Sequence, residues 1–146
     1  MDGLNVRRLM TAPVVSLNAN DDITVADAVM RLQHVRHLPV VTSRETLVGL
    51  VTHRDLLAAQ TSSTVPLNAH ERVSLAQRIK VASIMRTEVT TVTPEAPLRD
   101  AAIQLRENRY GCLPVVENEV LVGILTEADF LSLVVDILDN LDATAG

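Results

Sequence analysis

One stretch occurs twice in this chain, as Leu47-Val-Gly-Leu-Val-Thr-His-Arg-Asp-Leu-Leu57 and as Leu121-Val-Gly-Ile-Leu-Thr-Glu-Ala-Asp-Phe-Leu131. Each reads as an apolar strand that passes a glycine, reaches a threonine and opens a helix. Gly49 and Gly123, Thr52 and Thr126, and Asp55 and Asp129 match position for position. A repeat of this kind has to be read before anything else, because it makes one supersecondary unit account for the whole chain. The match extends upstream, where Met10 pairs with Met85 and Leu38-Pro-Val-Val41 with Leu113-Pro-Val-Val116, at an offset of 75. The turn Thr42–Thr46 is one residue longer than Glu117–Val120, so the offset drops to 74 beyond it. A hairpin turn is where an insertion costs least.

Each copy carries the same order of elements. Val6–Met10 and Val81–Met85 read as short helical lead-ins, and the β-branched runs Val14–Leu17 and Val89–Val92 as strands. Asp21 or Asp22 then caps a helix whose apolar positions Ile23, Ala26, Val29 and Met30 keep helical spacing. Its counterpart places Pro97 in the first turn, ahead of Leu98, Ala101 and Leu105. Two strands joined by a polar turn come next, and a second helix closes the copy. The expected fold class is α/β: two β-α-β-β-α repeats, each a mixed sheet with helices on one face. A copy of about 60 residues buries too little surface to stand alone, so the two are expected to pack together.

The expected domains are residues 1–60, a helical connector at 61–80, and 81–146 with an extended terminal helix. In the connector, Gln60–Pro66 breaks the helix, and Asn68 caps a new one through Val73, Ala76 and Ile79. At the end, Phe130, Leu133, Val134, Ile137, Leu138 and Leu141 form an apolar stripe over three turns. That stripe can pack on its own module or form an interface, and an interface would serve a homodimer.

Composition excludes several function classes. The net charge of -5 argues against broad binding to nucleic acid, and Tyr110 and Phe130 are the whole aromatic complement, too few for a base-stacking platform. Cys112 is the single cysteine, so there is no internal disulfide and no Cys-rich zinc site. No apolar run approaches the roughly 20 residues that span a bilayer, and the N-terminus lacks signal-peptide order, so a cytoplasmic protein with no membrane partner is expected. His34 and His37 are not completed into a metal site by any acid or cysteine cluster. No set of nucleophile, base and orienting group stands out, so no catalytic residue is expected and the chain is not read as an enzyme.

The Leu-Pro-Val-Val, polar turn, Gly-x-x-Thr-x-x-Asp and apolar helix, repeated, resemble the CBS domain, named after cystathionine β-synthase. The phrases Arg-Tyr-Gly-Cys-Leu-Pro-Val-Val and Gly-Ile-Leu-Thr-Glu-Ala-Asp-Phe are similar to small stand-alone bacterial CBS-pair proteins. The resemblance covers nearly all of the chain outside the connector and the tail beyond Asp136. It implies two motifs packed about a pseudo-two-fold axis, with two clefts that take adenosyl compounds such as AMP, ADP, ATP or S-adenosylmethionine. It implies a regulatory or sensing role, with no cofactor and an unknown regulated partner. By the same resemblance the backbone before Pro39 and Pro114 lines an adenine pocket, at Leu38 and at Leu113. Val14, Val15, Thr90 and Thr91 form its other edge.

The residues themselves leave two readings of Thr-x-x-Asp. It is a helix capping box, and it is also a carboxylate able to accept from two ribose hydroxyls beside a helix N-terminus that favours phosphate. Gly49 and Gly123 serve either tight strand packing or close backbone approach to a ligand. The copies then diverge. Around Thr52 and Asp55 the first carries Arg36, His37, His53 and Arg54. The second, around Thr126 and Asp129, carries Gly111, Cys112, Glu127 and Ala128 at those places. Arginine bonds phosphate strongly and an acid repels it, so the first copy is expected to take a phosphorylated adenosine. The second, weaker cleft is expected to be empty or to hold a neutral or cationic adenosyl group. The alternative is an interaction module whose clefts are vestigial.

Overall fold

The computed structural model describes residues 4–61 and 66–145. In chain order the elements are α1 (Val6–Leu9), β1 (Leu17–Asn18), α2 (Ile23–Gln33), β2 (His37–Val41), β3 (Leu47–Thr52), α3 (His53–Thr61), α4 (Ala69–Ala76), α5 (Val81–Ile84), α6 (Leu98–Glu107), β4 (Cys112–Glu117), β5 (Val120–Thr126) and α7 (Glu127–Ala145). The chain forms two compact units, residues 15–89 and residues 1–14 with 90–146. Each therefore consists of the body of one copy of the repeat with the lead-in of the other copy in place of its own.

In the unit of residues 15–89, β1 runs parallel to β2 and β2 antiparallel to β3, a mixed sheet in the order β1-β2-β3. Asp22 caps α2 by accepting from the backbone N–H of Thr24 and Val25, with the Thr24 hydroxyl also bonded to it. These donors favour the ionised carboxyl, the Thr24 hydroxyl most, and hold Asp22 below its ordinary value of 3.8. Ile23, Ala26 and Met30 pack from α2 onto Leu38, Val40, Val51 and Leu56. Leu56 is fully buried, which is worth about 1.5–3 kcal/mol for a side chain of this kind. α5 is pinned to the same unit by Val81 N–H donating to Asp21 O at 2.8 Å and by a two-way pairing of Leu50 with Arg86 at 2.8 and 2.9 Å.

The unit of residues 1–14 and 90–146 repeats this plan. β4 and β5 pair antiparallel, with a bulge at Val115/Val116 where the first copy has one at Val40/Val41. Ala101 and Leu105 of α6 pack with Val6, Leu113, Val115 and Leu125. Thr11 pairs both ways with Ile124 at 2.8 and 3.1 Å, as Arg86 does with Leu50. Asn118 and Glu119 both take positive φ (51° and 69°), a two-residue turn of the kind that matches strand twist. That is how the second hairpin closes with one residue fewer.

Some local expectations need correction. The strand placed at Val14–Leu17 is reduced to Leu17–Asn18, and the one at Val89–Val92 to a single parallel bridge of Val92 with Val115. Both runs lie where the chain passes from one unit to the other, so β-branched composition there is not matched by a full ladder. Pro97 is the N-cap of α6 rather than a residue of its first turn. Asn68 does cap α4, accepting from Glu71 N–H at 2.8 Å, but the helix ends at Ala76, and Ile79 packs against the core from outside it. The break expected at Gln60–Pro66 falls partly on residues 62–65, outside the described residues. No helix among the described residues is long and apolar enough to cross a membrane.

Candidate functional site

In each copy a strand carrying threonine at its end turns directly into a helix, and the aspartate three residues on closes the corner. Thr52 N–H donates to Asp55 Oδ2 at 3.2 Å, and Asp55 N–H donates to Thr52 Oγ1 at 3.2 Å. Thr126 N–H donates to Asp129 Oδ2 at 2.9 Å, and Asp129 N–H donates to Thr126 Oγ1 at 3.4 Å. Both corners are reciprocal capping boxes, which satisfy orphan helix donors and fix the aspartate at the corner. Capping occupies mainly one carboxylate oxygen of each.

The second oxygen is occupied differently in the two copies. Asp55 Oδ1 accepts from Arg86 Nη2 at 2.9 Å while Arg86 Nε donates to Oδ2 at 3.2 Å, a two-pronged ion pair. Asp129 Oδ1 accepts instead from the Thr11 hydroxyl at 3.1 Å. Arg86 and Thr11 are matching residues of the two lead-ins, each one place after its methionine. Sequence reasoning missed both. The signal was present, because the offset of 75 already aligned them.

The methionines settle the role of the glycines. A Cβ on Gly49 would lie 2.5 Å from Met85 Sδ and 3.0 Å from Arg86 O, and one on Gly123 would lie 2.7 Å from Met10 Sδ. Each glycine is therefore the seat of a methionine, the packing reading rather than the ligand-approach one.

Next to the first corner, His53 N–H donates to Arg36 O at 2.8 Å. That bond holds the segment before β2 against the start of α3, so Arg36 and His53 share a cavity of about 450 Å³ with Asp27, Met30, Arg31, His34 and Val35. Arg31 is engaged by Asp27 at 2.8 Å. Arg36 and His53 are exposed, free to meet an anion in solvent. His37 is half-buried and Leu38 buried, both in β2, whereas Arg54 is exposed on α3, outside that cavity lining. Val14, Val15, Thr90 and Thr91 stand in irregular backbone at the crossings between units.

The second corner has the same clasp, Glu127 N–H to Gly111 O, lengthened to 3.3 Å. Gly111 takes φ 74°, a conformation open to glycine and strained for most residues. The Cys112 carbonyl already accepts from Asn108 Nδ2 at 3.3 Å. The Cys112 thiol is fully buried, and burial pushes its pKa up to about 12. Leu113 is buried, and Glu127 and Ala128 are exposed. No cation stands where the first copy has Arg36 and Arg54.

Comparison with known proteins fits this geometry. The CBS domain family model matches residues 6–62 and 81–136. Among solved structures, one described as an acetoin utilization protein (AcuB) from Vibrio cholerae is 35% identical, with a TM-score of 0.80 over 95% of this chain and 96% of that one. The structure of CBSX2 in complex with AMP is 28% identical, with a TM-score of 0.77 over 92% of this chain and 98% of that one; CBSX2 is from Arabidopsis thaliana. The CBS domain pair of protein MJ0100, in complex with 5′-methylthioadenosine and S-adenosyl-L-methionine, is 27% identical, with a TM-score of 0.71 over 88% of this chain and 94% of that one.

Proposed function

Because this chain belongs to the CBS domain family, as a tandem pair, we propose that it is a regulatory module that binds a phosphorylated adenosine (AMP, ADP or ATP) at the corner of its first copy. The observation that carries this reading is the His53–Arg36 backbone bond at 2.8 Å, which gathers a guanidinium and an imidazole, both able to donate to phosphate, on one cavity beside the Asp55 corner. Arg36 and His53, with His37 and Arg54 nearby, bind phosphate; Leu38 and the Val14–Val15 edge hold adenine; Thr52 and Asp55 hold the ribose. The complex of CBSX2 with AMP supports the ligand class. At the second corner Glu127 stands in the place of His53, and an unphosphorylated adenosyl group such as S-adenosylmethionine is the compatible ligand; the MJ0100 complex supports that class. The chain works as a sensor in the cytoplasm, where these nucleotides are abundant, and carries out no catalysis. Ligand acts by favouring one conformation over another.

The test is thermal unfolding against AMP, ADP, ATP, S-adenosylmethionine and NAD. A site held at 100 times its dissociation constant adds about 2.7 kcal/mol, which raises the midpoint by roughly 5–15 °C in a chain of this size. No shift with any of these compounds rejects the reading.

A second role has its own support. On α7, Phe130 packs into the core and Leu133 is half-buried. Leu131, Val134, Val135, Ile137, Leu138 and Leu141 remain 48–65% exposed. An apolar helix face of that length is suited to a two-fold homodimer.

A further inference from the structure

The two corners differ most in what already holds their aspartates. A carboxylate has about four acceptor positions. Asp55 has three filled, two by the Arg86 guanidinium and one by Thr52 N–H. A ribose diol needs two, so it cannot be clasped while both prongs of Arg86 stay in place. Asp55 is shielded as well, with its side chain 12% exposed against 44% for Arg86, so exchanging the guanidinium for a neutral diol costs the carboxylate more than breaking a surface ion pair would. At the second corner the corresponding donors include the hydroxyls of Thr11 and Thr126, which are neutral and rotate to other acceptors. The Arg86 backbone is fixed by its two bonds to Leu50. Only its side chain can move, about a point next to the corner.

We propose that Arg86 is the specificity-determining residue of the first corner: it holds Asp55 against a bare ribose and yields to a ligand whose phosphate replaces Asp55 as its anionic partner. The inference rests on the nucleotide reading and adds a direction to it. In a nucleotide the 5′-phosphate and the ribose diol lie on the same sugar, within one swing of an arginine side chain. The ligand that displaces the guanidinium thus also receives it. Adenosine displaces it and returns nothing. The corner therefore discriminates by phosphate even before Arg36 and His53 are counted, and Thr11 imposes no such condition on Asp129.

The experiment is calorimetric titration of the full chain with adenosine and with AMP, for the native protein, Arg86→Thr (the residue at the matching place in the other lead-in) and Arg86→Gln. Circular dichroism establishes folding, and Arg86→Gln keeps much of the side-chain volume if Arg86→Thr fails to fold. Adenosine affinity is expected to rise on the order of tenfold or more in both variants, as a charge-assisted competitor is removed. The ratio of AMP to adenosine affinity is expected to fall by at least as much. The gain is expected to vanish in Arg86→Thr combined with Asp55→Ala, which places it at the first corner. AMP binding by the native protein with an unchanged ratio in the variants overturns this inference alone. No binding of either compound by any of the proteins overturns the nucleotide reading and this inference with it.

Discussion

Replacing Gly49 by alanine tests the packing of each lead-in on the other copy. The new methyl group would sit 2.5 Å from Met85 Sδ, 2.8 Å from Met85 Cγ and 3.0 Å from the Arg86 carbonyl. Met85 can rotate, though only by leaving the core cluster it packs against. The Arg86 carbonyl cannot retreat without lengthening its 2.9 Å bond to Leu50 N–H. Overpacking of this kind costs about 1–3 kcal/mol, and alanine recovers roughly 0.5–1 kcal/mol of glycine's chain entropy. The expected net loss is about 1–2 kcal/mol, or roughly 3–6 °C in midpoint. With no tryptophan in the chain, urea unfolding followed by circular dichroism is the suitable assay. Met85→Ala in the same chain clears the space, so the double variant should be more stable than the sum of the two single losses by about 1 kcal/mol. A Gly49→Ala loss below about 0.5 kcal/mol, or strict additivity with Met85→Ala, would refute the idea that the glycine exists to seat the methionine.

Other expectations rest on individual groups. Asp22→Ala should cost about 1 kcal/mol at neutral pH through loss of the α2 cap. Because folding lowers the Asp22 pKa from 3.8, that contribution is present above about pH 4 and is lost as pH falls through the lowered value. The gap between native and Asp22→Ala stability should therefore close in acid, as urea titrations at pH 2 and pH 7 will read. The Cys112 thiol, buried and raised to about 12, should resist iodoacetamide at pH 8 in the native protein and react once the chain is unfolded, as mass spectrometry would show; rapid native labelling would contradict the buried placement. Leu138→Glu on the exposed face of α7 should convert a dimer to a monomer in light scattering at micromolar concentration, and an unchanged mass would reject that face as the interface.

The fold was largely written in local pattern. The repeat, the capping boxes at Thr52/Asp55 and Thr126/Asp129, the helical spacing of Ile23, Ala26 and Met30 and the Asn68 cap all depend on neighbours a few residues apart, and such signals survive in a single sequence. What failed to show was long-range. The runs Val14–Leu17 and Val89–Val92 have strand composition, but the chain changes unit within or beside them, so pairing partners are available for only part of each. Arg86 lies 31 residues from Asp55, and Thr11 lies 118 from Asp129; no periodicity connects such pairs. The repeat register could have found them, because each stands one place after the methionine of its lead-in. At the candidate site, the divergence of Arg36 and His53 from Gly111 and Glu127 was visible as charge. The cavity's other walls, Asp27 and Arg31 of α2 and His34 at its end, needed the packing of α2 against the start of α3 to become neighbours.

The most direct test of the account is calorimetric titration of AMP into the native chain and into Arg36→Ala combined with His53→Glu, which removes the arginine of the cavity and places there the acid that the second corner carries. One AMP per chain is predicted, with affinity reduced on the order of tenfold to a hundredfold in the variant as a charge-assisted phosphate bond is lost and an acid introduced. Two equivalent AMP molecules per chain, or native affinity in the variant, would contradict the claim that the first copy alone is built for phosphate.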